Sequence, residues 1–231
     1  MSLRTLLLPG PLKSGTVIVE GDEAHHGRVV LRLRPGEDIR VADGAGWCAS
    51  AVVTGVGREA LEIEVSAIEA VPEGPAALLG VVCAVPKGDR FADLVRGLSE
   101  LGVGSFQPLV CERGERPPAN LDRQRRIATE AIKQSRRSRT MEIHQPIDVQ
   151  TVARSTGPRI ICDPAGVPAV PGPPVATTLV IGPEGGFTDE EREALVAGGR
   201  SVRLASTILR IETAALAASA VWVAAWEASR P

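Results

Sequence analysis

The fold of this chain is indicated most clearly by the segment Ile181-Gly182-Pro183-Glu184-Gly185-Gly186-Phe187-Thr188. The apolar run that leads into it, Thr178 to Ile181, is typical of a buried strand. Thr188 and Glu191 have the spacing of a capping box, which predicts that a helix begins there. Open α/β sheets bind ligands at glycine-rich turns of this kind, because a backbone without Cβ atoms can approach a ligand closely. Taken alone, however, the pattern favours a plain strand–helix connection.

A second strand–loop–helix passage follows shortly. A short strand, Ser201 to Leu204, leads through a polar loop to a helix that begins near Arg210 and Glu212. The positive end of the helix dipole favours the carboxylate of Glu212 but not the guanidinium of Arg210. A specific role for Arg210 is therefore predicted.

A third segment, Lys87-Gly88-Asp89-Arg90, also stands between a strand and a helix. The residues behind it recur at helical spacing, from Phe91 through Leu94 to Leu101, and Gly102 ends the pattern. We expect the helix to cover Arg90–Leu101.

From Ala76 onward, strands and helices alternate, which predicts a largely parallel sheet with helices on both faces. The expected strands are Leu79–Val85, Phe106–Val110, Arg159–Asp163, Thr178–Gly182 and Ser201–Leu204. The other expected helices are Asp122–Arg137, Asp189–Ala197 and Ile211–Ala228. Pro164 to Ala176, rich in proline and glycine, is expected to be a surface loop.

Residues 1–72 have the pattern of a small β-barrel. The expected strands are Thr16–Glu20, Asp38–Asp43, Trp47–Thr54 and Ala60–Val65, with a hairpin turn at Asp43-Gly44-Ala45-Gly46 and a short helix or turn between His25 and Leu33. Val71 to Pro75 is the expected linker. We therefore expect one domain over residues 1–72 and a second over 76–231.

Composition excludes several classes of protein. Hydrophobic residues make up 44% of the 231 residues, which is enough for a core and excludes wholesale disorder. No apolar run approaches the roughly 20 residues of a membrane span, and the first residues lack a signal-peptide pattern, so we expect a cytoplasmic protein. The four cysteines lie far apart, which predicts buried free thiols and no metal site.

Positive charge is concentrated although the net charge is −2. Between Arg113 and Arg139 there are nine Lys or Arg residues and three acids, and Arg28, Arg32, Arg34 and Arg40 form a second cluster. Such patches on an acidic protein indicate localised phosphate contacts, although a solvated helix face would have the same pattern. Aromatic residues make up only 3%, so arginines rather than stacking aromatics would hold a nucleic acid.

The motifs in order resemble one known family. They are Lys87-Gly88-Asp89-Arg90, Glu100-Leu101-Gly102, Gln134-Ser135, Gly182-Pro183-Glu184-Gly185-Gly186 and Leu209-Arg210-Ile211-Glu212-Thr213-Ala214. The resemblance, from about His25 to the end, is to the bacterial family that methylates N3 of a uridine in 16S ribosomal RNA, within the SPOUT class of methyltransferases. It implies an α/β SPOUT-type parallel sheet with a deep trefoil knot, and an N-terminal PUA-like β-barrel that binds RNA. It also implies a homodimer, for which the apolar final helix with Trp222 and Trp226 is the expected contact.

The resemblance implies S-adenosyl-L-methionine as the cofactor, with no metal. The expected cofactor-binding residues are Leu109, Ile181, Gly182, Pro183, Gly185, Gly186, Leu204, Ser206, Ile208 and Leu209. Arg210 is expected to stabilise a uridine anion. Glu212 or Glu184 would be the base if there is one, although each is equally typical of a structural acid. The expected RNA-binding residues are Arg28, Arg32, Arg34, Lys87, Arg90, Arg125, Arg126 and Arg137.

Two positions depart from the family's pattern. Ala205 stands where the family usually has glycine, and residues 136–141 lack its usual glycine and proline, so these two loops are expected to differ. Two alternatives stay open from the sequence: a methyltransferase of the same class that acts on a ribose 2′-hydroxyl, and a silent assembly factor that binds ribosomal RNA. A nucleotide-phosphate enzyme is disfavoured, because no Lys-Ser/Thr pair follows the glycines.

Overall fold

The computed structural model describes residues 3–8 and 10–230, which divide into two compact units. The first unit contains the chain up to Glu73 together with Thr129–Thr140, and the second contains Gly74–Ala128 and the residues from Met141 on. The first expected domain, residues 1–72, begins at Met1, and the second, residues 76–231, ends at Pro231. These two residues, and Ser2 of the expected signal-free start, lie outside the described part.

A six-stranded sheet forms the first unit. Its strands are β1 (Arg4–Leu7), β2 (Gly15–Val19), β3 (Asp38–Ala42), β4 (Trp47–Val56), β5 (Leu61–Val65) and β6 (Glu69–Ala70). The order is β1-β3-β4-β5-β2, with β6 beside β4, and every pair except β1–β3 is antiparallel. A short helix, α1 (Gly21–His25), runs directly into a π-helical turn at His26–Val30.

Alternation along the strands explains the core of the first unit. In β5 the side chains of Leu61, Ile63 and Val65 are buried, whereas those of Glu62 and Glu64 are exposed. Successive side chains of a strand point to opposite faces, so this pattern gives the sheet one apolar face. The four strands expected here are confirmed to within a few residues, and β1 and β6 are additional.

The second unit holds a parallel sheet and most of the helices. Its strands are β7 (Leu79–Ala84), β8 (Ser105–Val110), β9 (Glu142–Ile143), β10 (Ile147–Asp148), β11 (Arg159–Pro168), β12 (Thr177–Ile181) and β13 (Arg200–Arg203). The helices beyond α1 are α2 (Arg90–Glu100), α3 (Asp122–Ser135), α4 (Val149–Arg154), α5 (Asp189–Val196) and α6 (Ile211–Ala228), and a 3-10 turn covers Pro75–Leu78. Because the first unit takes Thr129–Thr140, α3 is divided between the two units.

All pairs in this second sheet are parallel, as the alternation of strands and helices predicted. The order is β10-β8-β7-β12-β11-β13, with β9 beside β8. In register, Ile181 pairs with Cys83 on one side and Cys162 on the other, and Cys162 pairs with Val202. The segments that follow these four positions therefore leave the sheet at one edge, where parallel sheets bind ligands.

Helix α6 corrects one expectation. Trp222 and Trp226 are each 1% exposed and belong to the core of the second unit, and the indole nitrogen of Trp226 donates to the carbonyl oxygen of Gly172 at 2.9 Å. The expectation that these tryptophans form a subunit contact is wrong, because they fill their own unit's core. The exposed face of α6 carries small apolar residues instead, namely Ala220, Val221, Ala224 and Ala225.

Two loops differ from what their sequences predicted. Strand β11 runs on to Pro168 through an irregularity after Cys162, and Val167 and Pro168 pair with β13, so part of the expected loop at Pro164 to Ala176 is strand. Helix α3 ends at Ser135, and Arg136 takes φ +57°. Helices commonly end with a residue in this left-handed conformation, usually glycine. Arginine serves here at some cost in strain.

None of the helices in residues 3–8 and 10–230 combines the length and apolar character needed to cross a membrane. The same residues contain no group of three or more His, Cys, Asp or Glu side chains placed to hold a metal ion.

Candidate functional site

A cavity of about 390 Å³ lies where β11, β12 and β13 end. Sites for small molecules in proteins span roughly 300–1,000 Å³, so this volume suits one ligand of moderate size. Three segments line it: the bulge of β11, the glycine-rich turn after β12, and the loop between β13 and α6. The lining residues are Cys162, Asp163, Pro164, Ile181, Gly182, Pro183, Glu184, Gly185, Gly186, Phe187, Asp189, Arg192, Arg203, Leu204, Ala205, Thr207, Ile208, Leu209, Ile211 and Ala214.

The glycine-rich turn, residues 182–187, needs its glycines for two different reasons. A Cβ atom on Gly182 would lie 2.8 Å from the ring of Phe187, so no side chain fits there. Gly186 takes φ +70°, which residues with a side chain rarely adopt, and its N–H donates to the carbonyl of Pro183 at 2.9 Å. A Cβ atom on Gly185 would meet no protein atom closer than 3.6 Å. Gly185 is therefore not required by packing, although it lines the cavity.

The capping box predicted after this turn is confirmed. The Thr188 hydroxyl accepts from the N–H of Glu191 at 3.2 Å, and the Glu191 carboxylate accepts from the N–H of Thr188 at 3.0 Å. These bonds satisfy donors that the first turn of a helix leaves unpaired. Helix α5 therefore starts at Asp189, and the glycine-rich turn is fixed at its carboxyl end.

Arg210 occupies the N-cap position of α6, directly behind the cavity-lining Ile208 and Leu209. Its side chain is exposed and makes no hydrogen bond or ion pair with any described residue. Its backbone carbonyl accepts from the N–H of Ala214 at 2.8 Å, as an N-cap carbonyl should. The backbone thus holds the residue in place while its guanidinium stays available.

Arg90, at the start of α2, joins the two other candidate catalytic residues. Its Nη1 atom lies 2.9 Å from Oε1 of Glu184 and 3.5 Å from Oε2 of Glu212. The Glu212 side chain is only 15% exposed. The hydrogen bond that Arg90 donates to Glu184, followed by the negative charge of Glu212, raises the pKa of Arg90. One guanidinium therefore ties the glycine-rich turn to the first turn of α6.

Asp163 was missed by sequence reasoning. Its carboxylate lines the cavity, is 13% exposed, and accepts from Nε of Arg192 at 2.7 Å and from the N–H of Ala165 at 2.8 Å. The signal was present, because Asp163 directly follows the apolar part of β11 at the sheet edge that binds ligands. The cavity thus offers a paired carboxylate beside its apolar and backbone surfaces.

Of the ten residues predicted to bind a cofactor, eight line the cavity: Ile181, Gly182, Pro183, Gly185, Gly186, Leu204, Ile208 and Leu209. Leu109 does not, because its side chain is fully buried in the core beside Val180 and Leu195. Ser206 is exposed and also does not line it. Among the predicted catalytic residues, Glu184 lines the cavity, and Arg210 and Glu212 flank the lining residue Ile211.

The cysteine of the cavity wall is not a candidate nucleophile. Burial raises the pKa of Cys162 to about 12, and burial followed by the charge of Glu191 raises the pKa of Cys111 to about 11. Near neutral pH both thiols are protonated, and a protonated thiol is a weak nucleophile. All four cysteines are free, as predicted, but only Cys83 is fully buried, and the other three are half-buried.

The predicted RNA-binding residues differ in how far their charges are already engaged. Lys87 pairs with Glu115 at 2.9 Å, Arg90 binds two carboxylates, and Arg125 pairs with Asp122 at 3.0 Å. Burial lowers the pKa of Arg137, which is half-buried. Arg32, Arg34 and Arg126 are exposed, and Arg28 is half-buried. Their contacts with RNA stay predictions.

Two parts of the chain match known families of protein domains. Residues 73–223 match the family described as RNA methyltransferase domain, and residues 19–66 match the RNA methyltransferase PUA domain. A curated relative from Mycobacterium bovis, called Ribosomal RNA small subunit methyltransferase E, is 33% identical over 240 residues, which cover 95% of this chain and 91% of the relative.

Two solved structures resemble this one over nearly their whole length. The Ribosomal RNA small subunit methyltransferase E from Neisseria gonorrhoeae, bound to S-adenosyl methionine, has a TM-score of 0.86 at 28% identity and covers 97% of this chain and 98% of its own. A methyltransferase from Legionella pneumophila with the bound cofactor SAM has a TM-score of 0.86 at 26% identity and covers 98% of this chain and 99% of its own.

Proposed function

This chain belongs to the RNA methyltransferase family, and we propose on that basis that it transfers a methyl group from S-adenosylmethionine to N3 of a uridine in 16S ribosomal RNA. One observation carries the proposal: the guanidinium of Arg210, which is exposed and has no partner among the described residues, follows directly on the loop that lines the cavity. The expected SPOUT-type parallel sheet and PUA-like domain of mainly antiparallel strands are confirmed, and the trefoil knot stays a prediction.

The cavity residues suit the proposed cofactor. Apolar side chains of Ile181, Leu204 and Leu209 give walls for an adenine ring, and the glycine-rich turn gives backbone groups that a ligand can reach without meeting Cβ atoms. Asp163 supplies a carboxylate for hydroxyl or amino groups. When bound, S-adenosylmethionine supplies an electrophilic methyl group, and no metal is needed.

Arg210 would have the main catalytic role. N3 of uracil is a poor nucleophile until it loses its proton, and the resulting anion spreads its charge over O2, N3 and O4. A planar guanidinium with fixed positive charge is suited to stabilising this anion. Its first task is therefore to make N3 reactive, and its second is to orient the base.

Glu184 and Glu212 are the candidate bases. Arg90 already binds both carboxylates, with nitrogen–oxygen distances of 2.9 Å to Glu184 and 3.5 Å to Glu212, so neither is free to approach a substrate. We therefore rank Arg210 above either glutamate. The proton of N3 could pass to solvent once the anion is stabilised.

Further features of the proposal concern partners and architecture. The domains would be 1–72, a PUA-like barrel that positions RNA through Arg28, Arg32 and Arg34, and 76–231, a knotted catalytic domain. The enzyme would be a cytoplasmic homodimer, and the exposed apolar face of α6 supports this, since contiguous apolar surface marks contacts between proteins. The target base would leave its stack to reach the cofactor.

Methylation of small ribosomal subunits or their RNA with labelled S-adenosylmethionine tests the proposal. After digestion to nucleosides, mass spectrometry should find the methyl group on the uracil base at N3. A methyl group on the ribose would identify a 2′-O-methyltransferase. Absence of any transfer, together with RNA binding, would identify a silent assembly factor.

A further inference from the structure

The segment Cys111–Glu115, which follows β8, contacts three parts of the second unit. The N–H of Glu112 donates to Oε1 of Glu191 at 2.8 Å, at the start of α5. Glu115 forms an isolated bridge with Val85 and an ion pair with Lys87, in the segment between β7 and α2. Arg113, between these contacts, reaches the glycine-rich turn. We call Cys111–Glu115 the bracing segment.

The Arg113 side chain binds backbone atoms of the glycine-rich turn and none of its side chains. Its Nη1 atom donates to the carbonyl oxygen of Gly185 at 3.2 Å and to that of Phe187 at 3.3 Å. A carbonyl and the N–H of the next residue belong to one planar peptide group. The two bonds therefore act on the peptide groups Gly185–Gly186 and Phe187–Thr188.

Both of these peptide groups are also held at their N–H ends. The N–H of Gly186 donates to the carbonyl of Pro183 at 2.9 Å, and the N–H of Thr188 donates to Glu191 at 3.0 Å. Because Arg113 binds the carbonyl as well, both the N–H and the C=O of each peptide group are hydrogen-bonded. Among the described residues, the N–H groups of Glu184 and Gly185 have no such partner, and both residues line the cavity.

We propose that Arg113 is a positioning residue, which orients the cofactor-binding turn by binding the carbonyls of Gly185 and Phe187. The turn has glycines at three of its six positions, so without the Arg113 bonds its backbone would be flexible and would lose entropy when a ligand binds. The bonds reduce this loss because they order the turn before binding. Arg113 does not line the cavity, so it acts through the turn. This inference rests on the proposed function, because it takes the turn to bind S-adenosylmethionine.

The competing role for Arg113 is a phosphate contact, because it stands first in the basic cluster that ends at Arg139. The geometry favours the positioning role, since the same nitrogen is already shared between two carbonyls. The neighbouring Arg116 is also exposed, and has no hydrogen bond or ion pair with the described residues. It therefore offers a control that removes the same charge three residues further on.

The experiment measures S-adenosylmethionine affinity by calorimetry for wild type, Arg113→Ala, Arg113→Lys and Arg116→Ala. Loss of two charge-assisted hydrogen bonds should weaken cofactor affinity in Arg113→Ala about tenfold, which is about 1.4 kcal/mol. Arg113→Lys should recover part of the loss, because an ammonium group can still donate to a carbonyl. Arg116→Ala should bind the cofactor like wild type.

Two further readouts separate positioning from the alternatives. In steady-state methylation, Arg113→Ala should raise the KM for S-adenosylmethionine more than it lowers kcat, and it should leave the salt dependence of RNA binding unchanged. Unchanged cofactor affinity in both Arg113 variants, or a reduced salt slope with normal cofactor binding, would overturn the inference. If wild type itself bound no S-adenosylmethionine, the proposed function would fail instead. If Arg113→Ala did not fold, Arg113→Met would take its place, because methionine keeps an apolar stem but cannot donate a hydrogen bond, and wild-type affinity in that variant would overturn the inference.

Discussion

The Nη1 atom of Arg90 lies 2.9 Å from the Oε1 atom of Glu184, although 94 residues separate them in the chain. This bond, together with the longer one to Glu212, joins α2, the glycine-rich turn and α6 around one charge. The Arg90 side chain is 31% exposed, and exposed ion pairs contribute little to the free energy of folding. The pair therefore matters more for the arrangement of the site than for stability.

Replacement of Arg90 by alanine should lower the methylation rate several-fold while changing the free energy of unfolding little. The two carboxylates would lose their shared partner, and the turn and the start of α6 would be free to separate. Arg96→Ala is the matched control. Arg96 also belongs to α2 and also pairs with a carboxylate, since its Nη1 atom lies 2.7 Å from Oδ1 of Asp93, but that pair lies within the helix. Equal rate losses in both variants would show that the site does not depend on the Arg90 bonds.

Replacement of Arg210 tests the proposed transition-state role. Arg210→Ala should reduce single-turnover methylation about a hundredfold or more, because the uridine anion would lose its stabilising charge. Arg210→Lys should retain part of the rate, and cofactor affinity should change little in either variant. Higher pH should partly rescue Arg210→Ala, since more uridine would ionise without help. A slowed variant without rescue would leave Arg210 a positioning role, and an unchanged rate would make Glu212 or Glu184 the leading candidate.

Gly185→Val should weaken S-adenosylmethionine binding without unfolding the protein. The nearest protein atom to the new Cβ, on Arg113, is at an ordinary contact distance of 3.6 Å, and the two methyl groups would be added at a residue that lines the cavity. Gly172→Val is a suitable control, because a Cβ atom there meets nothing within 4 Å and Gly172 does not line the cavity. Calorimetry that finds wild-type affinity in folded Gly185→Val would remove this glycine from the site.

Arg126 is the best single test of RNA binding by α3. It is exposed, whereas Arg125 is paired with Asp122 and Arg137 is half-buried, so changes at those two positions would also remove contacts within the protein. Arg126→Ala should lower RNA affinity, and it should reduce the slope of log K against log salt by about 0.7–0.9 if one phosphate contact is lost. Arg154→Ala removes another exposed arginine and should keep the slope. An unaltered slope in Arg126→Ala would identify this face of α3 as merely solvated.

Val221→Glu should convert the proposed dimer to a monomer. Val221 is 42% exposed at the centre of the apolar face of α6, and a charge buried at a subunit contact without a partner is costly. Light scattering at micromolar concentration measures the mass. Val170→Glu changes a valine that is 60% exposed elsewhere and should leave the mass as it is. A wild-type chain that is already monomeric would contradict the dimer itself.

Local signals account for what the sequence predicted well. The capping box needs only Thr188 and Glu191, and the alternation of strands and helices needs only patterns within each segment, so both were confirmed. The predicted lining residues came from the family resemblance, and their places agree with the rule that the carboxyl ends of parallel strands share an edge. Asp163 obeys the same rule and was overlooked because the segment after it has the composition of a loop.

Long-range partners could not be predicted. Arg90 and Glu212 are 122 residues apart, and no local pattern distinguishes an arginine that binds carboxylates from one that awaits a phosphate. In α6 the apolar residues surround the helix, so periodicity could not assign Trp222 and Trp226 to the core and Val221 to the surface. Leu109 is buried away from the cavity, and its strand could not show this in advance, since a strand that is buried on both faces gives no sign of which side chain points where.

The meeting of distant loops at one sheet edge has a consequence for how the protein reaches its working state. Pairings between segments far apart in sequence close large loops, and chains dominated by such contacts fold slowly. The residues that line the cavity extend from Cys162 to Ala214. During synthesis, the cavity is therefore incomplete until Arg210 and the first turn of α6 have been made. S-adenosylmethionine can therefore stabilise only the completed second unit, by mass action, and cannot guide its earlier steps.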